Sequence, residues 1–438
     1  MGGTGAAAQR TRDRAGGTPA PLSRLWPWLA LTCVLGPCAG ASADSYEQAR
    51  TDRVLAREGL KRDPAPEGKR IAFVKLIRDE VFLEDEVWPT WPNIFHMTTR
   101  EPVIERELLF ARGQSFRDAR AEETMRNLRN LGVFALVRIV AVRTPDPSAV
   151  GVVVHTREFW SLRFEHDFTY TTGLDALMLQ LAERNLLGRN KTVTLRYSLN
   201  KTYYGITQEY ADPRVWGGPL SFGQSAGWTF SRTTRQREGE FISASLSHPF
   251  RNLAQQFSAS LAGSLSSSIG RQVQNGVTLL YEHAPSMTLA RRVWRSDATV
   301  VSGSASYRRG GAYKQTVTLG MSYSAVKRND IPETALDPAA REDFYREVLG
   351  RQGAEVGPSI AYSLFVPRYR VLVNLRSFGQ SETYRVGPTV SLSLRSPLRS
   401  LGSVRDALIA SGGLSYRWAR RGVGLLYAST SMATRMEE

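Results

Sequence analysis

Apolar and polar residues alternate along most of the chain after residue 157. In residues 192–199, for example, Val193, Leu195 and Tyr197 alternate with threonine, arginine and serine. Such alternation places apolar side chains on one face of a β-strand and polar side chains on the other. About twelve to fourteen segments follow this pattern, which is typical of a large antiparallel sheet. Further examples lie in residues 242–247, 257–265, 317–324 and 390–395.

A soluble β-sandwich also has alternating strands, so the composition of the two faces has to decide between fold classes. The polar face is rich in Ser, Thr and Gly, which suits a polar barrel interior. Many segments approach the about 9–11 residues that a tilted membrane-spanning strand needs. Aromatic residues cluster near segment ends, where an interfacial girdle would lie; they include Tyr203, Tyr204, Trp216, Trp228, Trp294, Tyr307 and Trp418. These features favour an antiparallel transmembrane β-barrel over residues 157–438.

Residues 70–156 have a different pattern, which predicts a separate α+β domain. The turn-forming Pro145 and Pro147 separate its last two apolar runs, and Gly113 and Gly132 each follow a segment with helical spacing. The predicted order is strand 71–77, helix 101–109, helix 115–131, strand 133–142 and strand 150–155. The preceding residues 44–69 are polar and charged, and we interpret them as a linker or a frayed helix.

The pattern of residues 1–43 is typical of a secretory signal peptide. Four arginines precede an apolar run at residues 25–35, and Gly36, Pro37 and Gly40 end that run too early for a membrane span of about 20 residues. Residues 41–43 fit the small-x-small cleavage pattern. We therefore predict cleavage between Ala43 and Asp44.

Cysteine and charge narrow the classes of function. Both cysteines fall in the predicted signal segment, which excludes a disulfide scaffold, a zinc ribbon and a thiol enzyme for the rest of the chain. The net charge is +16, yet residues 44–156 carry 18 basic and 18 acidic side chains. Residues 157–438 carry 35 basic and 22 acidic side chains, so the excess of the chain after the predicted signal segment belongs to the predicted barrel. Anionic lipid headgroups or a polar pore lining would suit it, whereas export argues against nucleic acid as a partner.

Three sequence patterns that could indicate catalysis or metal binding lack the surrounding residues that these functions need. Residues 223–227 match the G-x-S-x-G nucleophile elbow, but they continue an alternating strand where the elbow needs a strand followed by a helix. The five histidines show no ligand spacing. The acidic residues of 79–86 lack the glycine of a tight calcium loop. The sequence thus predicts no enzyme, no metal and no cofactor.

An exported strand-helix-helix-strand-strand module followed by a barrel resembles the BamA/TamA family, the bacterial surface-antigen superfamily of outer-membrane assembly proteins. The module is similar to a POTRA domain through the helix-Gly-helix passage at residues 107–116, which contains Gly113, and through residues 128–134. The second passage resembles the family's helix-to-strand turn, with Gly132 at its glycine.

The start of the barrel carries the better match. Residues 183–190 are similar to the family's N-L-L-G-x-G turn through Asn185, Leu187 and Gly188, with Asn190 where a glycine is usual. Asp212 and Pro213 resemble the D/N-P pair that ends a following strand. The family's Val-Arg-Gly-Phe/Tyr loop motif and its aromatic-terminated last strand are not found. The resemblance therefore leaves two alternatives: a divergent member with fewer strands, or a barrel that is incomplete at the C-terminus of this sequence, which we favour.

The resemblance implies a place and a mode of action. The barrel would lie in the bacterial outer membrane, in contact with lipid and lipopolysaccharide, and the POTRA-like domain in the periplasm. The protein would assist insertion of outer-membrane proteins, or polypeptide translocation, by accepting strands of unfolded outer-membrane or exported polypeptide clients. Two segments are expected to offer edges for these strands. The first lies in the module and is either residues 71–77, represented by Ile71, Phe73 and Lys75, or residues 150–156. The second is the start of the barrel, at Phe159, Leu162 and Phe164.

Two other classes of function remain open from the residues alone. A passive outer-membrane pore or transporter is favoured by the lack of the family's loop motif. A secreted soluble β-sandwich adhesin would also explain an export signal followed by alternating strands.

Overall fold

The computed structural model describes residues 32–36, 42–83, 89–171, 173–275, 277–350, 352–373, 375, 381–420 and 424–437. A short strand comes first, followed by an N-terminal module that we define as residues 42–158. The elements of this part are β1 (Thr32–Gly36), α1 (Ser42–Arg57), β2 (Arg70–Asp79), α2 (Glu101–Glu105), α3 (Asp118–Asn130), β3 (Phe134–Arg143) and β4 (Ala149–Glu158).

The rest of the chain is mainly β-structure, with a short helix, α4 (Arg341–Phe344), between two long strands. The strands are β5 (Leu162–Tyr170), β6 (Leu174–Glu183), β7 (Thr192–Leu199), β8 (Tyr203–Asp212), β9 (Ser221–Ser231), β10 (Arg237–His248), β11 (Phe257–Arg271), β12 (Val273–Gln274), β13 (Val277–Thr278), β14 (Leu280–His283), β15 (Thr288–Arg291), β16 (Val293–Arg309), β17 (Lys314–Asn329), β18 (Gly353–Phe365), β19 (Arg368–Val373), β20 (Ser381–Arg395), β21 (Ala407–Arg420) and β22 (Gly424–Glu437).

The N-terminal module contains a three-stranded sheet in the order β2-β4-β3. β2 is parallel to β4, and β3 is antiparallel to it. The strand-helix-helix-strand-strand order is the one predicted, although the first helix is shorter than expected and the second begins at Asp118. Apolar side chains of β2, β3 and β4 face α2 and α3 to form the larger core, which includes Ile71, Ile104, Leu128 and Val152.

The opposite face of this sheet is covered by α1. Val54 and Leu55 of α1 contact Ile77, Val142 and Val153 in a second buried cluster. The segment that we interpreted as a linker or a frayed helix is therefore a 16-residue helix over its first part, and it completes the module. None of the helices among the described residues has the length and apolar character required to cross a lipid bilayer.

The second part of the chain forms one large antiparallel sheet, which we call the main sheet. Its strands are ordered β1-β22-β21-β20-β18-β17-β16-β11-β10-β9-β8-β7-β6-β5, so β5 and β1 lie at its two ends. β19 pairs with the first half of β20 in the same register that β18 keeps with the second half. The break between them falls at Pro367, which cannot donate a ladder hydrogen bond.

The two faces of the main sheet differ as the alternation predicted. Leu261, Leu319 and Leu392 lie on the apolar face, and each is more than half exposed. The other face carries hydroxyl pairs that join neighbouring strands, such as Ser260 with Ser304 at 2.9 Å. Other pairs of this kind are Ser306 with Thr318 and Ser393 with Ser411. A broad, exposed apolar face suits lipid better than water, and it does not fit the soluble sandwich considered above.

A small core lies at the end of the main sheet remote from the module. The hairpin of β14 and β15 packs on α4 and its continuation, residues 345–349. Tyr281 and Phe344 are buried there with ring centroids 5.4 Å apart. This core positions none of the predicted site residues.

Candidate functional site

The predicted motif residues of the barrel start lie where the N-terminal module meets the main sheet. We call this contact the junction; it joins residues 96–107 and Glu158 of the module to the turns after β6 and β8. Asn185, in the first turn, is 1% exposed. Its Nδ2 donates to Thr99 Oγ1 (3.0 Å) and to the Met97 carbonyl oxygen (3.2 Å), and it lies 3.4 Å from Glu158 Oε2. One amide side chain therefore ties the turn to two segments of the module.

Glu158, the last residue of β4, is a second centre of the junction. It is 2% exposed, and its Oε2 lies 2.9 Å from Nε2 of His96. Its Oε1 accepts a hydrogen bond from the backbone N–H of Thr99. A buried carboxylate needs such partners, because burial without them is costly.

Backbone conformation explains the glycine of the turn motif. Gly188 has φ +68°, and a Cβ at this position would lie 2.4 Å from the carbonyl oxygen of Thr98. The Gly188 carbonyl oxygen accepts a hydrogen bond from the backbone N–H of Arg100 (2.9 Å), and Arg100 Nε donates to the carbonyl oxygen of Leu187 (3.1 Å). Asn190 has φ +56°, so the residue that replaces the usual glycine is one that tolerates the left-handed region.

The second motif forms the other half of the junction. Asp212 is buried, and its Oδ1 accepts from the backbone N–H of Arg214 (2.9 Å). Its Oδ2 lies 2.9 Å from Nζ of Lys191, and this carboxylate raises the pKa of Lys191. Pro213 follows, and Arg214 then reaches the buried Glu107 of the module, to which its Nε donates at 2.9 Å. The Asp-Pro pair thus directs an ion pair across the junction.

Sequence reasoning missed Glu158, His96, Glu107 and Arg214. The motif resemblance identified Asn185 and Asp212, but neither the Glu158 that Asn185 approaches nor the ion pair of Arg214 and Glu107 that follows Asp212. Gly113 and Gly132, the other predicted motif positions, have φ +87° and +72°, the left-handed conformation that favours glycine. Both lie in the module. Gly132 follows the end of α3 as predicted, whereas α2 ends at Glu105 and Gly113 lies in a later turn, so the prediction that Gly113 closes the first helix is wrong.

The part of the module that could pair with a client strand is shorter than predicted. The 150–156 alternative is wrong, because β4 pairs with β2 on one side and with β3 on the other. β2 is an end strand, but the N–H of Ile71 donates to Gln114 and its carbonyl oxygen accepts from Gly113, both at 2.8 Å. Phe73 packs over Gly151, and Lys75 pairs with Glu58. The candidate edge of the module therefore begins after Ile71.

The start of the main sheet offers a longer edge. β5 pairs with β6 and is the end strand of the main sheet in the described part of the chain. Leu162 and Phe164 lie on its apolar face and are 44% and 64% exposed. Phe159 differs from them, because its N–H donates to the Val133 carbonyl oxygen and so holds it to the module. Ser225, from the G-x-S-x-G match, lies within β9 and pairs with Ser243 and Glu209, as a strand interior predicts.

The remaining prediction concerns the signal peptide. Ala43 and Asp44 lie in the first turn of α1. β1, which comes from the predicted signal segment, pairs with β22 at residues 425–429. Cleavage after Ala43 would remove β1 from this edge.

No family model matches the chain. One curated protein, named "Putative outer membrane protein assembly factor" and from Treponema pallidum (strain Nichols), is 23% identical over 222 residues. The match covers 49% of this chain and 26% of that protein, so the chain spans about a quarter of its length.

Three solved structures align with most of this chain at low sequence identity. BamA from Haemophilus ducreyi lacking POTRA domains 1–3 aligns with a TM-score of 0.34 and 13% identity, over 90% of this chain and 94% of that one. CdiB from Acinetobacter baumannii aligns with a TM-score of 0.31 and 8% identity, over 84% and 74%. CdiB from Escherichia coli aligns with a TM-score of 0.30 and 12% identity, over 95% and 93%.

Proposed function

We propose that this chain, a BamA/TamA-like outer-membrane protein, assists the insertion of other outer-membrane proteins or the translocation of a polypeptide, without covalent chemistry. The similarity to a protein named as an outer-membrane assembly factor supports this class of function. The exposed apolar face of the main sheet supports a place in the outer membrane. Its lipid-facing residues would contact the hydrocarbon, and its end residues the lipid headgroups or lipopolysaccharide.

The observation that carries the proposal is the outer edge of β5, which pairs with no other strand among the residues that the structure describes. In lipid, unpaired backbone N–H and C=O groups are costly, so an end strand favours the addition of another strand. An unfolded client strand would pair with β5 and continue the main sheet, with its apolar side chains beside Phe164. Removal of the signal peptide after Ala43 would also free the edge of β22 for the same kind of pairing.

The N-terminal module would act before this step. We propose that it is a POTRA-like domain in the periplasm, and that its β2 edge from Phe73 to Ile77 holds the client in an extended conformation. The module contacts the turns after β6 and β8, so these turns would lie at the periplasmic end of the barrel.

Disulfide capture tests the β5 edge. Asp167→Cys is placed on β5 in a background in which Cys33 and Cys38 are serine, and the client is an unfolded outer-membrane protein with one cysteine in its last strand. Ser225→Cys is the matched control, because β9 is paired on both sides. We expect the client disulfide at Asp167→Cys and not at Ser225→Cys. Equal capture at both positions, or capture at neither, would rule out strand addition at β5.

A further inference from the structure

Three arginines meet in a cavity of about 570 Å³ beside the junction. Arg106 comes from the end of α2, Arg214 from the turn after β8, and Arg251 from the turn after β10. Among the described lining residues, Glu107 is the single carboxylate. Three guanidinium groups against one carboxylate leave two positive charges in excess.

The hydrogen bonds of the cluster are incomplete. Arg214 is satisfied by Glu107, to which both its Nε and Nη2 donate. Arg251 Nη2 donates to Ser221 Oγ (3.0 Å) and to the carbonyl oxygens of Pro213 and Pro219. In the part of the chain that the structure describes, however, buried Nε of Arg251 and buried Nε and Nη2 of Arg106 have no acceptor.

Electrostatics make this arrangement unfavourable without a further anion. Burial lowers the pKa of both Arg106 and Arg251, and the neighbouring charge of Arg214 lowers them further, although Glu107 opposes this. Nearby Asp212 is paired with Lys191, and Glu123 accepts from the Leu253 N–H. Buried charges are normally paired, so unpaired guanidinium donors around a cavity indicate a binding site.

We propose that Arg106 and Arg251 bind the phosphate group of a small organic ligand in this cavity, beside the ion pair of Arg214 and Glu107. Guanidinium forks bind phosphate oxygens by paired hydrogen bonds, and a phosphate can match the excess of positive charge. The cavity lies within the about 300–1,000 Å³ that small-molecule sites occupy, so it has room for the group that carries the phosphate. A phospholipid headgroup and a soluble phosphate ester share this chemistry.

Calorimetric titration of the full chain in a phosphate-free maltoside detergent tests the site. The probes are glycerol 3-phosphate, dihexanoyl-phosphatidylglycerol below its micelle concentration, and acetate as a carboxylate control. Arg106→Gln and Arg251→Gln are each expected to weaken phosphate binding by about 10- to 100-fold, the effect of losing a charge-assisted hydrogen bond. Arg112→Gln, an exposed arginine of the same module, should leave binding unchanged.

The two phosphate probes separate the possible sources. Tighter arginine-dependent binding of the lipid assigns a headgroup, and tighter binding of glycerol 3-phosphate assigns a soluble ester. Binding of neither probe, equal affinity for acetate, or binding that is unchanged in Arg106→Gln would overturn the proposal.

Glu107→Gln provides a test that loss of folding cannot imitate. It removes the one carboxylate of the cavity and releases Arg214 for the ligand, so the phosphate probes should bind more tightly than to the unchanged protein. Unchanged or weaker binding in a Glu107→Gln protein with native near-ultraviolet circular dichroism would contradict the site.

Discussion

Replacing Asn185 by alanine should loosen the junction in a way that can be calculated from its contacts. The substitution removes Nδ2, which donates to Thr99 Oγ1 and to the Met97 carbonyl oxygen and lies beside Glu158 Oε2. It also removes Oδ1, which accepts from the Asn190 N–H at 2.8 Å. A neutral hydrogen bond contributes about 1 kcal/mol and one to a charged group about 1.5–3 kcal/mol. Because these contributions overlap, we expect a total of about 3 kcal/mol, which is roughly a 150-fold change in the local opening equilibrium.

Amide hydrogen exchange of the intact chain in detergent micelles measures this opening. Peptides that cover residues 97–100 and 188–191 should exchange faster by roughly that factor, while those of β9 and β10 keep their protection. Asn200→Ala is the matched control, since Asn200 accepts from the N–H of Thr202 and Tyr203 in a turn at the opposite end of the sheet. It should leave the junction peptides unchanged.

A double-mutant cycle shows whether the effect acts through the named contact. Thr99→Val removes the hydroxyl acceptor with little change of shape, and its combination with Asn185→Ala should give a coupling free energy of about 1 kcal/mol. Exchange at residues 97–100 that rises less than about threefold in Asn185→Ala would refute the idea that this amide holds the junction.

Two further predictions concern the module and the turn. Gly188→Ala should destabilise the junction by about 2 kcal/mol or more, because it combines a left-handed φ with a clash against the Thr98 carbonyl, whereas Gly173→Ala, with open space around it, should not; equal urea midpoints for both would contradict this. Burial raises the pKa of Asp79, but the hydrogen bond and charge of His155 and the charge of Arg50 outweigh it, so the net pKa lies below its ordinary value. Asp79 therefore stabilises the fold above a pH of about 4, and this contribution is lost as the pH falls through the lowered pKa. Asp79→Asn should be less stable at pH 7 and less sensitive to acid between about pH 5 and 2, and an acid-unfolding curve that keeps the shape of the unchanged protein's curve would contradict this.

The strands of the main sheet could be predicted because each face has its own environment. Leu261, Leu319 and Leu392 face outward while serines line the other face, so period-2 alternation survives along the strands. The break between β18 and β19 has a visible cause in Pro367.

Helix α1 could not be predicted from its pattern of apolar and polar residues. Its buried positions are Glu47, Arg50, Thr51, Val54 and Leu55, which have helical spacing but are mostly polar. Thr51 Oγ1 lies 3.0 Å from Nδ1 of His155, and Arg50 lies 3.5 Å from Asp79. An amphipathic pattern is absent because the helix docks on polar partners that are distant in sequence.

The residues of the junction could be predicted only in part. The turn sequence around Asn185 and the pair Asp212-Pro213 were recognisable as motifs, since local backbone conformation restricts their residues. The buried acids Glu158 and Glu107 were not recognisable, because Glu158 contacts Asn185, 27 residues away along the chain, and Glu107 contacts Arg214, 107 residues away. A single sequence offers no signal for such pairs, because a lone carboxylate more often lies in solvent.

If client strands add to β5, the junction fixes one end of the edge at which they pair. β4 ends at Glu158 and β5 begins at Leu162, while Asn185, in the turn after the neighbouring β6, approaches Glu158 directly. The start of β5 is thus held by chain continuity and by the junction, whereas Tyr170 at its far end is 68% exposed. An edge fixed at one end sets the register of an added strand, and register decides which face of a strand meets lipid. A weakened junction should therefore disturb the accuracy of client pairing before it abolishes pairing itself.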